Sequence, residues 1–316
     1  MIDIQKKILV SIMIPTFNQP NYIKRAIDSA LNQTYSNIEI IISDDSSNNE
    51  TEEIVKSYKD KRIRYFHNIP RKGRVNNYRY MLYNLARGEW VINLDGDDYF
   101  IDNKFIEESV KLINKYSDVV AVIGRMRIFY ENENRYIDTI FNFDEKYKVV
   151  DGNDLFFKVV FNNVDIPHLA ALYNREKAIK VGFYEKDILS SDRLSLMKLF
   201  VANRVILYNK VVGVWVHHGK NTSQTKNLDE VFKNLIMYDE LFNFSKNKLN
   251  IIKLLIFKLL GKYKMLYPIF YEFLINKDYK NLKIFVKKLL NYNFIYLMFI
   301  LGDVRLYKRL FKKGFK

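Results

Sequence analysis

Short apolar segments and amphipathic segments alternate along the chain between residues 8 and 124. The apolar segments are rich in isoleucine and valine and occupy residues 8–14, 38–42, 63–66, 91–94 and 119–123. Segments with apolar residues at helical spacing lie between them, from Pro20 onward and at 51–58, 76–86 and 103–116. Short β-branched runs predict buried strands, and a 3.6-residue spacing predicts helices. Their alternation predicts an α/β fold with a doubly wound, mainly parallel sheet.

The pattern loosens after Gly124 and changes character near residue 225. From Lys226 onward the strand pattern disappears, and segments such as 249–260 show apolar helical faces interrupted by lysines. A linker rich in glycine and serine is absent from the sequence at this point. We therefore predict an α/β domain over residues 1–225 and a basic, α-helical C-terminal domain over residues 226–316.

Charge is distributed unevenly between these two parts. Residues 226–316 contain 19 basic and 7 acidic residues, so they carry +12 of the net charge of +15. The chain has no cysteine, which excludes disulfides, thiolate metal sites and a cysteine nucleophile. Residues 1–7 are polar, which predicts no signal peptide. The longest uninterrupted apolar candidate, 294–301, is shorter than the roughly 20 residues that span a bilayer, so we also expect no transmembrane helix.

The apolar segment at 91–94 ends abruptly in Asp95, Asp97 and Asp98. A buried strand does not tolerate unpaired carboxylates, so we expect these acids just beyond its C-terminal end, where α/β sheets bind ligands. Gly96 separates Asp95 from Asp97 and leaves room for a ligand near the backbone. Hard divalent cations prefer such oxygen ligands and complete their shell with water and phosphate. Taken alone, the spacing indicates either a metal–phosphate site or a solvated acidic turn.

Five segments in order resemble the family 2 glycosyltransferases, whose nucleotide-binding α/β domain is called GT-A. They are residues 10–18, 29–35, 39–47, 86–91 and 94–98. The resemblance is good over about residues 8–124 and thinner to about residue 223. It implies inverting, metal-dependent transfer of a hexosyl or N-acetylhexosaminyl group from a nucleoside-diphosphate sugar. UDP is the nucleotide usual in the family, and the implied acceptor is a glycan or lipid-linked glycan in bacterial surface polysaccharide synthesis.

The resemblance also implies roles for residues of the donor site. Pro15, Thr16, Phe17 and Asp45 match the positions that hold the base and ribose, although the Phe17 ring is also compatible with core packing. Asp97 matches the position that ligates Mg²⁺ or Mn²⁺. Asp95 then lies nearer the ribose or the water shell of the metal, and Gly96 lies between the two acids.

Two further segments of the resemblance bear on the diphosphate and on the catalytic base. Residues 73–79 resemble a glycine-then-asparagine helix start, in which Asn77 is the matched residue and Arg74, or alternatively Arg79, faces the diphosphate. Asp192 occupies the position of the base that deprotonates the acceptor, although the acid usually found before it is Ser191 here. The alternative role for Asp192 is to cap the helix that follows.

Residues 215–223 resemble the closing strand and histidine loop of the family. His218 fits best, because the spacing His218, Asn221, Ser223 is that of the family, and it is implied to touch the metal or the diphosphate. The adjacent His217 remains an alternative. The arginine usual after the aromatic position is Val216 in this chain.

Other functional classes are less compatible with the sequence. The turn after the first strand lacks the glycines of a dinucleotide-binding oxidoreductase. A haloacid-dehalogenase-type phosphatase carries its D-x-D after the first strand, whereas the motif here lies near residue 95. The basic tail leaves two alternatives open: a nucleic-acid-binding protein or a membrane adaptor, in either case with a catalytically silent nucleotide-sugar domain.

Basic helices with long apolar faces favour an anionic membrane surface over nucleic acid. We therefore expect a cytoplasmic protein attached through residues 248–316 to the inner face of the membrane. A helical subdomain that completes the fold and a homodimer interface are the alternatives.

Overall fold

The computed structural model describes residues 7–219, 221 and 227–306. The chain divides into two compact units, Met1–Thr225 and Lys226–Lys316. The elements of the N-terminal unit are, in order, β1 (Val10–Thr16), α1 (Pro20–Leu31), β2 (Ile38–Asp44), α2 (Glu50–Lys56), β3 (Ile63–His67), α3 (Arg74–Tyr80), β4 (Trp90–Asn93), β5 (Tyr99–Phe100), α4 (Phe105–Lys115), β6 (Val119–Tyr130), β7 (Arg135–Asp138), β8 (Tyr147–Asp151), α5 (Gly152–Phe161), β9 (Ala171–Asn174), α6 (Arg175–Lys180), α7 (Ser191–Phe200) and β10 (Arg204–His217).

One ten-stranded sheet organises this unit, with the main order β3-β2-β1-β4-β9-β6-β10-β5. The strands β3, β2, β1 and β4 run parallel to one another, and β6 pairs in parallel with β10. The short strand β9 runs antiparallel between β4 and β6, and β5, β7 and β8 also pair in an antiparallel manner. The predicted α/β sheet is therefore confirmed, and its second half is mixed. The sequence shows this half poorly, because β7 is mostly exposed, β8 is only partly buried, and neither strand carries a long apolar run.

Burial explains why the first strands could be predicted from the sequence. Every residue of β1 and β2 is buried, as expected for strands covered on both faces. Helix α1 begins with Pro20 at its first position and turns a face containing Ile23 and Ile27 into the same core. Each such isoleucine contributes roughly 1.5–3 kcal/mol by leaving water. The core thus fixes the strand register and the positions of the strand ends.

The C-terminal unit is helical in its described part. Its elements are α8 (Leu228–Asn234), α9 (Ile236–Ser245), α10 (Ile251–Ile275) and α11 (Tyr279–Leu301). An apolar core forms around side chains such as Phe270 and Phe285. Helix α11 is interrupted at Asn293, whose φ of −174° and ψ of 113° are not helical. The predicted C-terminal helical region is confirmed.

The expectation of no transmembrane helix rested on the lengths of the apolar runs, and the structure corrects that length argument. Among the described residues, α11 is the one helix that is long and apolar enough to cross a membrane, judged by length and composition alone. In the sequence, Lys287 and Lys288 divide this helix into apolar runs that are each too short to span a bilayer. Helix α11 also contributes Phe285, Leu289 and Ile300 to the core of its own unit.

Candidate active site

The C-terminal ends of β1, β2 and β4 meet at one edge of the sheet. Because β1 pairs in parallel with both neighbours, Thr16 lies beside Asp44 and Met13 lies beside Asn93. The Asp45 amide donates to the Thr16 carbonyl over 3.0 Å, and the Gly96 amide donates to the Pro15 carbonyl over 3.1 Å. The structure therefore brings together residues that the sequence analysis assigned to one site from three separate segments.

Phe17 extends from this edge into solvent. Its side chain is 40% exposed, and the Arg71 guanidinium carbon lies 3.7 Å from the ring centroid. Core packing, the alternative considered for Phe17, is therefore wrong. Arg71 was not assigned a role from sequence, and a cation–π contact of this kind keeps the ring and the guanidinium together at the mouth of the site.

Gly96 is required for packing at this position. A Cβ atom on residue 96 would lie 2.7 Å from Gln19 Oε1 and 2.8 Å from Thr16 Oγ1. Both distances are shorter than real Cβ contacts allow. The space that the glycine leaves is therefore occupied by Thr16 and Gln19, and the expectation that a ligand uses it is corrected.

Asp45 anchors the loop before α3. Its buried carboxylate accepts hydrogen bonds from Asn68 Nδ2 at 2.9 Å, the Lys72 amide at 3.2 Å and the Gly73 amide at 2.8 Å. A carboxylate has about four acceptor positions, so these three donors leave about one. A hydrogen bond between Asp45 and a nucleotide base must therefore use the remaining acceptor position on Oδ2.

Asn77 is buried and braces α3 against β2. Its Oδ1 accepts from Ser43 Oγ at 2.6 Å and from Asn68 Nδ2 at 3.2 Å, while its Nδ2 donates to the Ser43 carbonyl at 2.9 Å. The structure places Asn77 at the predicted edge with its side chain engaged by protein groups. The observed role of Asn77 is therefore to position α3.

Helix α3 carries a residue that contacts the D-x-D segment directly. The Tyr78 hydroxyl donates to the Asp95 carboxylate, with distances of 2.8 and 2.9 Å to its two oxygens. Burial, followed by the charge of Asp97, raises the pKa of Asp95 to about 7, although the Tyr78 hydrogen bond and the Arg74 charge oppose this rise. The environment of Asp95 therefore destabilises its ionised form relative to its protonated form.

Arg74 links this region to the segment before α7. Its guanidinium donates to the carbonyls of Ile188 and Leu189 at 2.8 and 3.3 Å. The same charge lowers the pKa of Asp95. The charge of Arg74 thus reaches Asp95, and part of the hydrogen-bonding capacity of Arg74 is used by the protein backbone.

His218 contacts the second acid of the motif. Its Nε2 lies 2.9 Å from Asp97 Oδ2, and its ring stacks on Tyr22 with the centroids 5.2 Å apart. His217 instead packs against Tyr130, with the ring centroids 4.6 Å apart. Of the two histidines considered, His218 is therefore the one that the fold brings to the D-x-D segment.

Parts of the histidine motif lie outside the described residues, namely Lys220, Thr222 and Ser223. Asn221 is described, and its Oδ1 accepts from the His218 amide at 3.0 Å. Asn221 therefore stabilises the turn that presents the His218 ring to Asp97.

Asp192 lies in the first turn of α7. The residue at the N-cap position of this helix is Ser190, so the capping role considered for Asp192 is wrong. Burial raises the pKa values of Asp95 and Tyr78, and the negative charge of Asp192 adds to the rise in both cases. Asp192 is therefore within electrostatic reach of the D-x-D segment.

A buried polar and aromatic cluster beneath the site was not found from sequence. The hydroxyls of Tyr173 and Tyr184 both donate to Asn93 Oδ1 at 3.2 Å, and His168 Nε2 is hydrogen-bonded to the Tyr184 hydroxyl. The Tyr184 ring also packs on Tyr78, with the centroids 5.4 Å apart. The one available sequence signal was Asn93, an amide within an otherwise apolar strand.

The residues present fit a divalent cation that is shared with a substrate. Among the described residues, no group of three or more His, Cys, Asp or Glu side chains is arranged to hold a metal ion by itself. Mg²⁺ commonly uses only one or two carboxylates and takes its other ligands from phosphates and water. Asp95 and Asp97 supply two carboxylates, and the charge of Asp97 already raises the pKa of Asp95. A cation would relieve that repulsion.

The model of the glycosyl transferase family 2 matches residues 11–182, more than half of the chain. The chain belongs to this family. The solved structure of Staphylococcus aureus TarS in complex with UDP has a TM-score of 0.60 at 17% identity, over 84% of this chain and 71% of that one. A mannosyltransferase from Pyrobaculum calidifontis, in complex with GDP-Man and Mn²⁺, has a TM-score of 0.55 at 15% identity, over 94% and 84% of the two chains. The fold is of the GT-A type.

Curated relatives match over shorter stretches. An uncharacterized glycosyltransferase of Rickettsia felis is 45% identical over 117 residues, which are 36% of this chain and 19% of that protein. The Escherichia coli UDP-Glc:alpha-D-GlcNAc-diphosphoundecaprenol beta-1,3-glucosyltransferase WfaP is 35% identical over 133 residues, 42% and 48% of the two chains. The alignments therefore span less than half of either relative.

The raised pKa of Asp95 predicts how the stability of the N-terminal unit depends on pH. A carboxyl whose pKa is about 7 in the folded state binds more protons when folded than when unfolded. The contribution of Asp95 to stability therefore falls as pH rises from about 4 through 7. Asp95→Asn lacks the charge, so we expect it to be more stable than the wild type at pH 8, on the order of 1–3 kcal/mol, and the difference to shrink at pH 5.5.

Urea unfolding followed by tryptophan fluorescence measures this difference, because both tryptophans, Trp90 and Trp215, lie in the N-terminal unit. EDTA keeps divalent cations away from the carboxylates. The control Asp144→Asn changes an exposed acid, and its effect should not depend on pH. A pH-independent effect of Asp95→Asn would contradict the burial of an unfavourable charge.

Proposed function

We propose that this chain is an inverting, metal-dependent glycosyltransferase. It transfers a hexosyl or N-acetylhexosaminyl group from a nucleoside-diphosphate sugar, a UDP-sugar in our proposal, to a glycan or lipid-linked glycan acceptor. The observation that carries the proposal is that Asp95 and Asp97 follow β4 at the edge where β1 also ends, and that the charge of Asp192 acts on Asp95. The UDP complex of TarS and the UDP-glucose and diphosphoundecaprenol named for WfaP support the donor and acceptor classes.

In this proposal the donor lies across the ends of β1, β2 and β4. Pro15, Thr16 and Asp45 form the wall for the base and ribose, and the exposed Phe17 ring offers an apolar surface to the base. Arg74 faces the diphosphate from the start of α3, where guanidinium pairs well with phosphate oxygens.

Asp97 and Asp95 would hold Mg²⁺ or Mn²⁺, with His218 beside Asp97. Once bound, the cation neutralises charge on the departing nucleoside diphosphate. Tyr78 orients the Asp95 carboxylate. Gly96 lets the segment that carries both acids pack tightly on Thr16.

Asp192 acts as the general base. The acceptor hydroxyl oxygen forms a bond to the anomeric carbon while the bond from that carbon to the diphosphate oxygen breaks, and the hydroxyl proton passes to the Asp192 carboxylate. Attack from the face opposite the leaving group inverts the anomeric configuration. Because Ser190 occupies the N-cap position of α7, the Asp192 carboxylate is not required for capping.

The C-terminal unit attaches the enzyme to the cytoplasmic face of the membrane, close to a lipid-linked acceptor used in surface polysaccharide synthesis. Residues 226–316 carry a net charge of +12. Apolar side chains on α10 and α11 are exposed, among them Ile252, Ile256, Phe294 and Met298. A basic unit with exposed apolar side chains fits an anionic lipid surface, which contributes about 1 kcal/mol for each nearby lysine or arginine.

We expect Asp97→Ala to abolish transfer and to weaken metal-dependent nucleotide binding, because one of two carboxylates for the cation is lost. Thermal shift with candidate nucleotide sugars, with and without Mn²⁺, identifies the donor, and turnover is then measured with it. Asp144→Asn, an exposed substitution, is the control. Full activity of Asp97→Ala across the donors would show that the proposed metal site is wrong.

We expect Asp192→Asn to lower turnover by roughly 10²–10⁴-fold, the usual cost of a lost general base, with donor binding nearly intact. The matched control is Asp187→Asn, because Asp187 is an exposed acid in the same segment. Calorimetry of nucleotide binding distinguishes the two roles. An equal loss of nucleotide affinity in Asp192→Asn would mark Asp192 as structural.

The full chain should sediment with anionic liposomes at low salt and should be released at high salt, since screening weakens surface electrostatics. Sedimentation with neutral liposomes measures the part of the membrane binding that is due to apolar contacts alone. A chain that stays in the supernatant with anionic liposomes at low salt would refute membrane attachment.

A further inference from the structure

The C-terminal unit contains a charged cavity that the transfer reaction does not use. It has a volume of about 420 Å³ and is lined by residues of α9, α10 and α11, including Asp239, Lys258, Lys262 and Tyr292. Leu255 and Leu259 form its apolar side. These residues all belong to the same compact unit, so the cavity is a feature of that unit alone.

Positive charge is in excess inside this cavity. Asp239 pairs with two lysines, Lys258 at 2.8 Å and Lys262 at 2.7 Å, and Lys262 is only 4% exposed. Burial alone would raise the pKa of Asp239, but the hydrogen bonds from both lysines outweigh it and lower the pKa. One ionised carboxylate therefore neutralises only one of the two ammonium groups.

Hydrogen-bond donors remain after these pairs are formed. Each ammonium group has about three donors, and Asp239 takes one from each lysine. Lys262 gives another to the Tyr292 hydroxyl, which keeps its own proton for donation. The surplus charge and the remaining donors suit an anion with several oxygens, and phosphate is the common biological group of that kind.

The interruption of α11 supports the same ligand. Asn293 lines the cavity, and its Oδ1 accepts from the Ile295 amide at 3.0 Å, so a new helical segment, 294–301, begins there. The start of a helix carries partial positive charge and favours anions. The start of the segment 294–301 therefore adds positive potential to the site that Lys258, Lys262 and Tyr292 form.

An apolar groove adjoins the charged cavity. It has a volume of about 520 Å³ and is lined by Ile256, Leu259, Phe299 and Val304, among others. Leu259 lines both the cavity and the groove. These four side chains are between 42% and 63% exposed, which is costly unless something covers them. A cationic pocket that continues into an apolar groove fits a ligand with a phosphate head and a hydrocarbon tail.

We propose that this cavity and groove bind a single anionic phospholipid of the membrane, with its phosphate at Lys258, Lys262 and Tyr292 and one acyl chain along Leu259. The proposal rests on the membrane attachment proposed above and adds a specific lipid site to it. Diffuse attraction to a charged surface depends only on surface charge. A built site discriminates between a phosphate and another anion of equal charge.

The test compares Lys258→Gln with Lys253→Gln in the full chain. Lys258→Gln removes the surplus charge and leaves the buried Asp239–Lys262 pair intact. Lys253 is an exposed lysine on the same helix, so Lys253→Gln makes the same change in net charge outside the cavity. Sedimentation uses phosphatidylcholine vesicles that carry either phosphatidic acid or oleate, matched in surface charge. Far-ultraviolet circular dichroism checks that each variant keeps its helices.

On oleate vesicles we expect the two variants to lose similar affinity. On phosphatidic acid vesicles we expect Lys258→Gln to lose about fivefold more than Lys253→Gln. Equal losses on both kinds of vesicle would overturn the lipid site and leave diffuse attachment standing. If the wild type binds neither kind of vesicle, the proposal of membrane attachment fails with it.

The groove is tested separately with Leu259→Gln, which changes a half-exposed side chain on the same helix. We expect it to weaken binding to phosphatidic acid vesicles and to leave the thermal shift caused by glycerol 3-phosphate unchanged. Unchanged vesicle binding would overturn the acyl-chain contact. A thermal shift with inorganic phosphate as large as that with phosphatidic acid would identify a free-anion site and overturn the lipid assignment.

Discussion

Repulsion among the acids that follow β4 is the constraint on which the site depends. A different residue from elsewhere in the chain contacts each of them. Tyr78 of α3 donates to Asp95, His218 contacts Asp97, and the Val216 amide of β10 donates to Asp98 at 2.9 Å. Burial raises the pKa of Asp98 well above its usual range, and the charges of Asp97 and Asp95 raise it further. The three acids at the end of β4 are thus held by hydrogen bonds from residues that lie far from them in the sequence.

The sheet makes this crowding tolerable because it fixes the surrounding backbone. Parallel pairing of β1 with β2 and β4 holds the three strand ends in register, and hydrogen bonds from Asp45 and Gly96 to β1 carbonyls close the edge. The loop before α3 is fixed by Asp45, which positions Tyr78 and Arg74. A ligand with phosphates and a cation would complete an electrostatic arrangement that the protein leaves short of positive charge.

The C-terminal unit has an excess of positive charge, in contrast to the acidic end of β4, because its basic residues outnumber its acidic ones. Its described helices bury an aromatic core, yet they leave apolar side chains of α10 and α11 exposed beside cationic groups. In the cavity, Lys258 and Lys262 share the single carboxylate of Asp239, one at each oxygen. A surface with exposed apolar side chains beside cationic groups favours an amphipathic partner. The proposed lipid site follows from this excess of positive charge and of exposed apolar area.

Local patterns in the sequence determined the first strands, the acids at their ends and the motif that carries Asp95 and Asp97, because burial and strand period are local properties. Tertiary structure alone decided which partners those acids have. It brought Tyr78 to Asp95, filled the space at Gly96 with Thr16, and inserted β9 antiparallel between β4 and β6. It also joined two apolar runs into α11 across lysines. Such contacts depend on residues far apart in the chain, whose distances only the packed core fixes.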